Sequence, residues 1–152
     1  MRIFIAGATG VYARNLIPLL LAAGHQVCGL ARTPERAAAL RAQGVEPVAG
    51  DLLDLDTQAA LADNLRGCDA VLHLATAIPS DPRAPGAWDA NTALRTTGTR
   101  ALLDATLAAG VPRYVQQSIV MAYVDGGDRL LDESTPLATP EERPTAPPVV
   151  AM

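Results

Sequence analysis

The sequence contains no lysine, and all 12 of its basic residues are arginines. It has 16 acidic residues, which gives a formal net charge of -4 at neutral pH. A protein that binds nucleic acid without regard to its sequence needs a cationic face to displace the counterions of the phosphate backbone. The charge balance therefore argues against a nucleic-acid partner.

Aromatic residues are also scarce, at 3% of the chain against 49% for all apolar residues. We therefore expect an aliphatic core, with Cys28 and Cys68 as small buried members of it. Two cysteines suggest neither a disulfide framework nor a metal site. No apolar run reaches the roughly 18 residues of a membrane span, and a signal-peptide cleavage site is missing. These features predict a cytoplasmic protein without a membrane partner.

What the chain does contain is an alternation of short apolar runs and longer segments rich in alanine and leucine. The short runs predict strands at residues 3–6, 27–31, 45–49, 70–75 and 113–117. The longer segments predict helices over 11–23, from Pro34 to Gly44, from Asp54 or Asp56 to Gly67, and over 91–109. Apolar strands that alternate with helices are typical of a parallel sheet covered on both faces. We predict an α/β fold, a doubly wound parallel sheet of the Rossmann type with strand order 3-2-1-4-5.

A glycine-rich loop, Gly7-Ala8-Thr9-Gly10, joins the first predicted strand to the first helix. Gly7 permits a tight turn, and the missing side chain of Gly10 lets the backbone approach a phosphate. The small residue Ala13 allows the helix to pack closely on the strand. The helix then points its free N–H groups and the positive end of its dipole at the loop. Because the loop lies between a strand and a helix, we interpret it as a pyrophosphate-binding loop.

The spacing of this loop resembles that of the extended and atypical short-chain dehydrogenases/reductases, which include the NAD-dependent epimerase/dehydratase family. The likeness continues in four segments: GDLLD at 50–54, VLHLAT at 71–76, NTALRTTGTRALLDATLAAGVPRYV at 91–115 and QQSIVMAY at 116–123. It extends over residues 1–135. It implies a nicotinamide dinucleotide bound at the carboxyl edge of the sheet.

The resemblance also implies a role for individual residues. The pyrophosphate would be held by Gly7, Thr9, Gly10, Val11 and Tyr12. The adenine would contact Asp51 and Leu52, and the nicotinamide-side ribose would lie along Ala75, Thr76 and Ala77. Asn91 would buttress the site by hydrogen bonding, and Ser118 would contact the cofactor or the substrate.

The second predicted strand ends without an acidic residue. An acid at this point hydrogen-bonds the ribose 2′-hydroxyl of NAD, whereas a nearby arginine accommodates the 2′-phosphate of NADP. The chain has Arg32 here, and Arg36 one helical turn later could assist it. Glu35 could neutralise Arg32. We predict NADP(H) as the preferred cofactor, with NAD as the alternative.

Whether the protein is a catalyst stays open at this stage. Alcohol-oxidising relatives use a Tyr-x-x-x-Lys pair in which the lysine lowers the pKa of the tyrosine, and a chain without lysine cannot contain that pair. Aligned on Tyr123, the family's catalytic hydroxyl falls on Ile119, so Ser118 is a weak catalytic candidate. We expect an epimerase/dehydratase-like or reductase-like protein that acts on a small molecule. The alternative is a non-catalytic NADP(H)-binding redox sensor.

The character of the sequence changes after Tyr123. A glycine-rich turn cluster at residues 125–128 is followed by a proline-rich stretch that is poor in apolar residues, from Asp132 to Pro148. We interpret residues 1–131 as the NAD(P)-binding domain, and 132–152 as a loop that leads toward a C-terminal substrate part absent from the sequence. The resemblance also suggests a homodimer formed through long helices. His73, within the fourth strand, is expected to be a core residue with its hydrogen bonds satisfied.

Overall fold

A computed structural model describes residues 1–139 of the protein. The backbone divides into two compact units, Met1–Gln117 and Ser118–Met152. The first unit holds a parallel sheet of β1 (Arg2–Ala6), β2 (Gln26–Ala31), β3 (Glu46–Ala49), β4 (Ala70–His73) and β5 (Tyr114–Gln116). The strand order is β3-β2-β1-β4-β5. The predicted fold class and strand order are confirmed.

Helices connect the strands on both faces of the sheet. They are α1 (Val11–Ala22), α2 (Pro34–Ala42), α3 (Leu55–Leu65), α4 (Asp89–Ala93) and α5 (Thr99–Ala108). Helix α2 begins where the sequence places it, because the Thr33 hydroxyl accepts a hydrogen bond from the Arg36 N–H and proline follows as the first helical residue. Helix α3 begins after Asp54, one of its two predicted starting residues, because the Asp54 carboxylate caps the helix by accepting a hydrogen bond from the Thr57 N–H.

The long helix predicted over residues 91–109 is not a regular α-helix. A π-helical turn, Leu94–Gly98, separates α4 from α5. A π-helical turn shifts the register of the residues that follow, and such turns occur frequently at functional sites. The predicted helical segment is therefore present, and the π-helical turn within it is a feature that the sequence analysis did not foresee.

Successive residues of β1 face opposite sides of the sheet and define two cores. Phe4 packs into one core with residues of α3 and α5, namely Leu61, Leu65 and Leu102. Ile3 and Ile5 pack into the other core with residues of α1 and α2, namely Ile17 and Leu40. Each fully buried side chain of this size contributes about 1.5–3 kcal/mol. Cys28 and Cys68 are buried free thiols in the first core, as predicted.

The second unit is described through Thr139. It contains a 3-10 turn, Val120–Ala122, and an antiparallel bridge between Tyr123 and Leu137. Most of the predicted 132–152 loop lies outside the described residues, and the domain boundary at residue 131 stays a prediction. Within the described part of the chain, no helix is long and apolar enough to cross a membrane.

Candidate functional site

A cavity of about 510 Å³ opens along the carboxyl edge of the sheet in the first unit. Predicted cofactor contacts that line it are Gly7, Thr9, Gly10, Val11, Tyr12, Arg32, Asp51, Leu52, Ala75 and Thr76. The remaining lining residues are Leu30, Arg36, Leu74, Ile78, Leu94 and Gln117. The volume is within the range of about 300–1,000 Å³ that small-molecule and cofactor sites span. Parallel strands place their carboxyl ends at one edge, which is where ligands of doubly wound sheets bind.

The glycine-rich loop has the backbone geometry that its sequence predicts. Gly7 has φ +89°, and a Cβ built on it would lie 2.6 Å from the Ala75 nitrogen. The Gly10 N–H donates to the Gly7 carbonyl at 2.9 Å, which closes the turn. Gly10 is the N-cap of α1 and supplies no side-chain cap. The first N–H groups of α1 are therefore left for an anion, and the loop fits a pyrophosphate.

Two arginines and one carboxylate line the cavity beyond β2 and β3. An Arg32 Nη atom lies 3.7 Å from an Asp51 carboxylate oxygen, with both side chains partly exposed. Asp51 is held in place because its N–H donates to the Thr57 hydroxyl and its carboxylate accepts the Leu53 N–H. Arg36 reaches the same cavity from the first turn of α2. At this end of the cavity, the arginines leave a formal excess of positive charge.

Glu35, which could have neutralised Arg32, forms no ion pair with it in the described part of the chain. The ion pair found for Arg32 in the described part of the chain joins it to Asp51. A hydrogen bond with the Thr33 side chain lowers the pKa of Glu35. Glu35 is therefore engaged at the start of α2.

The backbone segment after β4 is held by a hydrogen bond to the buried side-chain amide of Asn91. Asn91 is 6% exposed, and its Oδ1 accepts a hydrogen bond from the Ala77 N–H at 3.2 Å. Neither residue lines the cavity. The hydrogen bond that Asn91 makes is therefore to the backbone of this segment. Its role in buttressing the site, and a direct contact of Ala77 or Asn91 with the cofactor, stay predictions.

His73, the last residue of β4, is almost completely buried. Its Nδ1 is 3.3 Å from the Ala75 N–H, but its Nε2 has no hydrogen-bond partner within residues 1–139. The expectation of a fully satisfied histidine is therefore met only in part. Burial lowers the pKa of His73 to about 4, so the ring is neutral at physiological pH.

The lining residues that sequence reasoning missed fall into two groups. Leu30, Leu74 and Gln117 are at or just beyond the carboxyl ends of β2, β4 and β5, so the topology alone could have identified them. Leu94 opens the π-helical turn, and Ile78 belongs to an irregular segment. No periodic signal marks either of these two.

Ser118, the weak catalytic candidate, is exposed and begins the second unit. Tyr123 and Ile119 belong to the same unit. Roles for Ser118 in catalysis or in cofactor contact stay predictions. Among the described residues, no group of histidine, cysteine or acidic side chains could hold a metal ion.

Comparison with known proteins agrees with this geometry. A family of NAD(P)H-binding proteins matches residues 7–138. The chain is 38% identical over 140 residues to a 3-diazoavenalumate denitrifying reductase of a Streptomyces species. The aligned region covers 90% of this chain and 44% of the relative. The chain therefore belongs to the NAD(P)H-binding family, within the short-chain dehydrogenase/reductase superfamily, and it binds NAD(P).

Solved structures show the same relationship. A short-chain dehydrogenase/reductase superfamily protein from Agrobacterium tumefaciens with bound NAD superposes with a TM-score of 0.74 at 31% identity, over 99% of this chain and 42% of that one. The yeast methylglyoxal/isovaleraldehyde reductase complexed with NADPH superposes with a TM-score of 0.69 at 25% identity, over 82% of this chain and 39% of that one. The chain spans less than half the length of each of these proteins.

Proposed function

We propose that this chain is the cofactor-binding part of a reductase that prefers NADP(H) and acts on a small molecule. The pyrophosphate lies on the loop and helix start formed by Gly7, Thr9, Gly10, Val11 and Tyr12. The adenine lies against Asp51 and Leu52, and the nicotinamide-side ribose lies along Ala75, Thr76 and Ala77. When bound, the reduced nicotinamide supplies a hydride, and the residues of this chain position it.

The observation that carries the cofactor preference is the pair of arginines in the cavity beyond β2. Arg32 and Arg36 both line it, and Asp51 offsets only part of their charge. A 2′-phosphate placed between two guanidinium groups accepts charge-assisted hydrogen bonds, which are about twice as strong as neutral ones. A bare 2′-hydroxyl at the same place would leave the excess positive charge uncompensated.

Reduction, rather than another reaction of the superfamily, is supported by the relatives. The Streptomyces relative is a reductase by name, and the yeast neighbour is a reductase complexed with NADPH. The cavity also has apolar walls, because Leu74, Ile78 and Leu94 line it together with the polar loop. Apolar lining with a few placed polar groups is typical of small-molecule sites.

A second candidate function is a non-catalytic protein that binds NADP(H) and reports the redox state to a partner. It is favoured by the absence of lysine from the sequence and by Ile119 at the position where relatives carry the catalytic hydroxyl.

The two functions differ in turnover. The test is to incubate the purified full-length protein with NADPH and a panel of ketones, aldehydes and quinones, and to follow the absorbance of the reduced nicotinamide. A reductase oxidises NADPH in the presence of at least one substrate class, and Gly10→Ala slows that oxidation at least about tenfold at subsaturating NADPH. NADPH binding without turnover of any panel member would overturn the reductase and favour the sensor.

A further inference from the structure

Some of the apolar side chains that line the cavity are largely exposed to solvent. Tyr12 is 64% exposed and Ile78 is 66% exposed, and the shorter side chain of Val11 is exposed beside Tyr12. Leu52 and Leu94, which line the same cavity, are buried. Apolar surface that is left in water favours the binding of a molecule that covers it. Tyr12 and Ile78 are the two largest of these exposed side chains, and a ligand in the cavity can reach both.

Tyr12 approaches the cavity from one face of the sheet. It is the second residue of α1 and follows the phosphate loop directly after Val11. The side chains of an α-helix lean toward its N-terminus, so the Tyr12 ring leans toward the loop that fits a pyrophosphate. Helix α1 packs on the sheet through Ala13 and Ile17, which belong to the core that contains Ile5.

Ile78 approaches the cavity from the opposite face. The preceding residue, Ala77, packs against the core that contains Phe4, on the other side of the sheet from α1. The Ala77 N–H donates to the Asn91 Oδ1 at 3.2 Å, which fixes the backbone immediately before Ile78. Ile78 therefore continues the segment along which we place the nicotinamide-side ribose.

We infer that the side chains of Tyr12 and Ile78 cover the bound dinucleotide from the two faces of the sheet, over its pyrophosphate and its nicotinamide-side ribose. Both side chains lose contact with water when the cofactor binds, which favours binding. They also shield the phosphates from water, and hydrogen bonds to charged groups are stronger in such an environment. This inference rests on the proposed binding of the dinucleotide along the carboxyl edge.

The test compares three ligands by titration calorimetry of the full-length protein. They are NADPH, then 2′-phospho-ADP-ribose, which lacks the nicotinamide, and adenosine 2′,5′-bisphosphate, which also lacks the second ribose and one phosphate of the pyrophosphate. Each is titrated into the wild type, Tyr12→Ala, Tyr12→Phe and Ile78→Ala. The control is Leu19→Ala, because Leu19 is a residue of α1 that is 67% exposed and does not line the cavity.

Tyr12→Ala and Ile78→Ala should each bind NADPH and 2′-phospho-ADP-ribose about fivefold to tenfold more weakly than the wild type, because apolar contact is lost. Their affinity for adenosine 2′,5′-bisphosphate should not change. Leu19→Ala should bind all three ligands like the wild type. Tyr12→Phe should do the same, because the ring and not the hydroxyl covers the ligand.

The wild type alone provides a second measurement, which needs no variant to fold. The second ribose and phosphate bring the ligand under Tyr12 and Ile78, and covering apolar surface makes the heat-capacity change of binding more negative. Titrations at several temperatures should therefore give a more negative heat-capacity change for 2′-phospho-ADP-ribose than for adenosine 2′,5′-bisphosphate.

Several results would overturn the inference and leave the proposed function intact. They are equal heat-capacity changes for these two ligands, wild-type affinity of Tyr12→Ala or Ile78→Ala for 2′-phospho-ADP-ribose, and a variant that weakens all three ligands by the same factor. A Tyr12→Phe protein that binds as weakly as Tyr12→Ala would also overturn it. If the wild type binds none of the three ligands, the proposed function fails first, and the inference fails with it.

Discussion

Substitution by alanine should have different consequences at the two glycines of the phosphate loop. Gly7→Ala places a Cβ 2.6 Å from the Ala75 nitrogen and 2.7 Å from the Leu74 carbonyl carbon, at φ +89°. Gly10→Ala places its Cβ 3.1 Å from the Gly7 carbonyl oxygen, at φ -78°. The Cβ added at Gly7 clashes with backbone atoms that cannot move aside. The conformation of Gly10 is one that any residue can adopt, and its added Cβ needs only a small shift of the neighbouring carbonyl.

The magnitudes follow from these geometries. The left-handed conformation costs alanine about 1–2 kcal/mol at Gly7, and the overlap adds about 1–3 kcal/mol. Gly7→Ala should therefore lower the free energy of unfolding by roughly 2–5 kcal/mol, a large part of the total stability of a small domain. Gly10→Ala should change it by less than about 1 kcal/mol, because alanine also restricts the unfolded chain.

Urea denaturation and an NADPH titration together separate the two effects. Gly10→Ala should keep the wild-type unfolding midpoint and bind NADPH at least about tenfold more weakly, because its methyl group occupies the approach to the pyrophosphate. A Gly10→Ala protein that binds NADPH like the wild type would refute the assignment of the loop. A Gly7→Ala protein as stable as the wild type would refute the steric reasoning.

Three further predictions concern stability and charge. Burial lowers the pKa of His73 from 6.5 to about 4, so below pH 6.5 the unfolded state binds more protons than the folded state. His73 should therefore reduce the free energy of unfolding by about 3 kcal/mol as the pH falls to 4. His73→Gln should therefore lose less stability than the wild type between pH 7 and pH 4 in urea denaturation, and parallel losses would contradict this. Thr33→Ala removes the cap of α2 and should cost about 1 kcal/mol in thermal unfolding, whereas an unchanged midpoint would show that the cap contributes nothing. Asp51→Asn frees Arg32 and should tighten NADPH binding by a factor of about two to five with little effect on NADH, and equal changes for both cofactors would count against a phosphate site there.

The sheet could be predicted because its local signals agree with one another. Residues 3–6 and 27–31 are apolar throughout, Thr33-Pro34 is a strong helix start, and Gly24 follows α1 with φ +78°. Each signal depends on neighbours in sequence, and the crossover rule then leaves few topologies. The phosphate loop could be predicted for the same reason.

The rest of the cavity depends on contacts that are distant in sequence. Asp51 and Arg32 pair because β2 and β3 are adjacent in the sheet, and no local pattern shows that a carboxylate will share the arginine. The π-helical turn that brings Leu94 to the cavity breaks the 3.6-residue period on which helix prediction relies. The exposure of Tyr12 and Ile78 at the cavity is evident only when every neighbour in space is known.

We propose that Arg32 and Arg36 form a site for the 2′-phosphate of NADP(H). The most direct measurement is a titration of the protein with NADPH and with NADH, repeated for Arg32→Asp and for a control, Arg41→Asp, in the last turn of α2. We predict that the wild type and the control bind NADPH at least about tenfold more tightly than NADH, a difference of about 1.4 kcal/mol, and that Arg32→Asp loses this preference. Equal binding of the two cofactors by the wild type, or a preference that survives in Arg32→Asp, would contradict the claim.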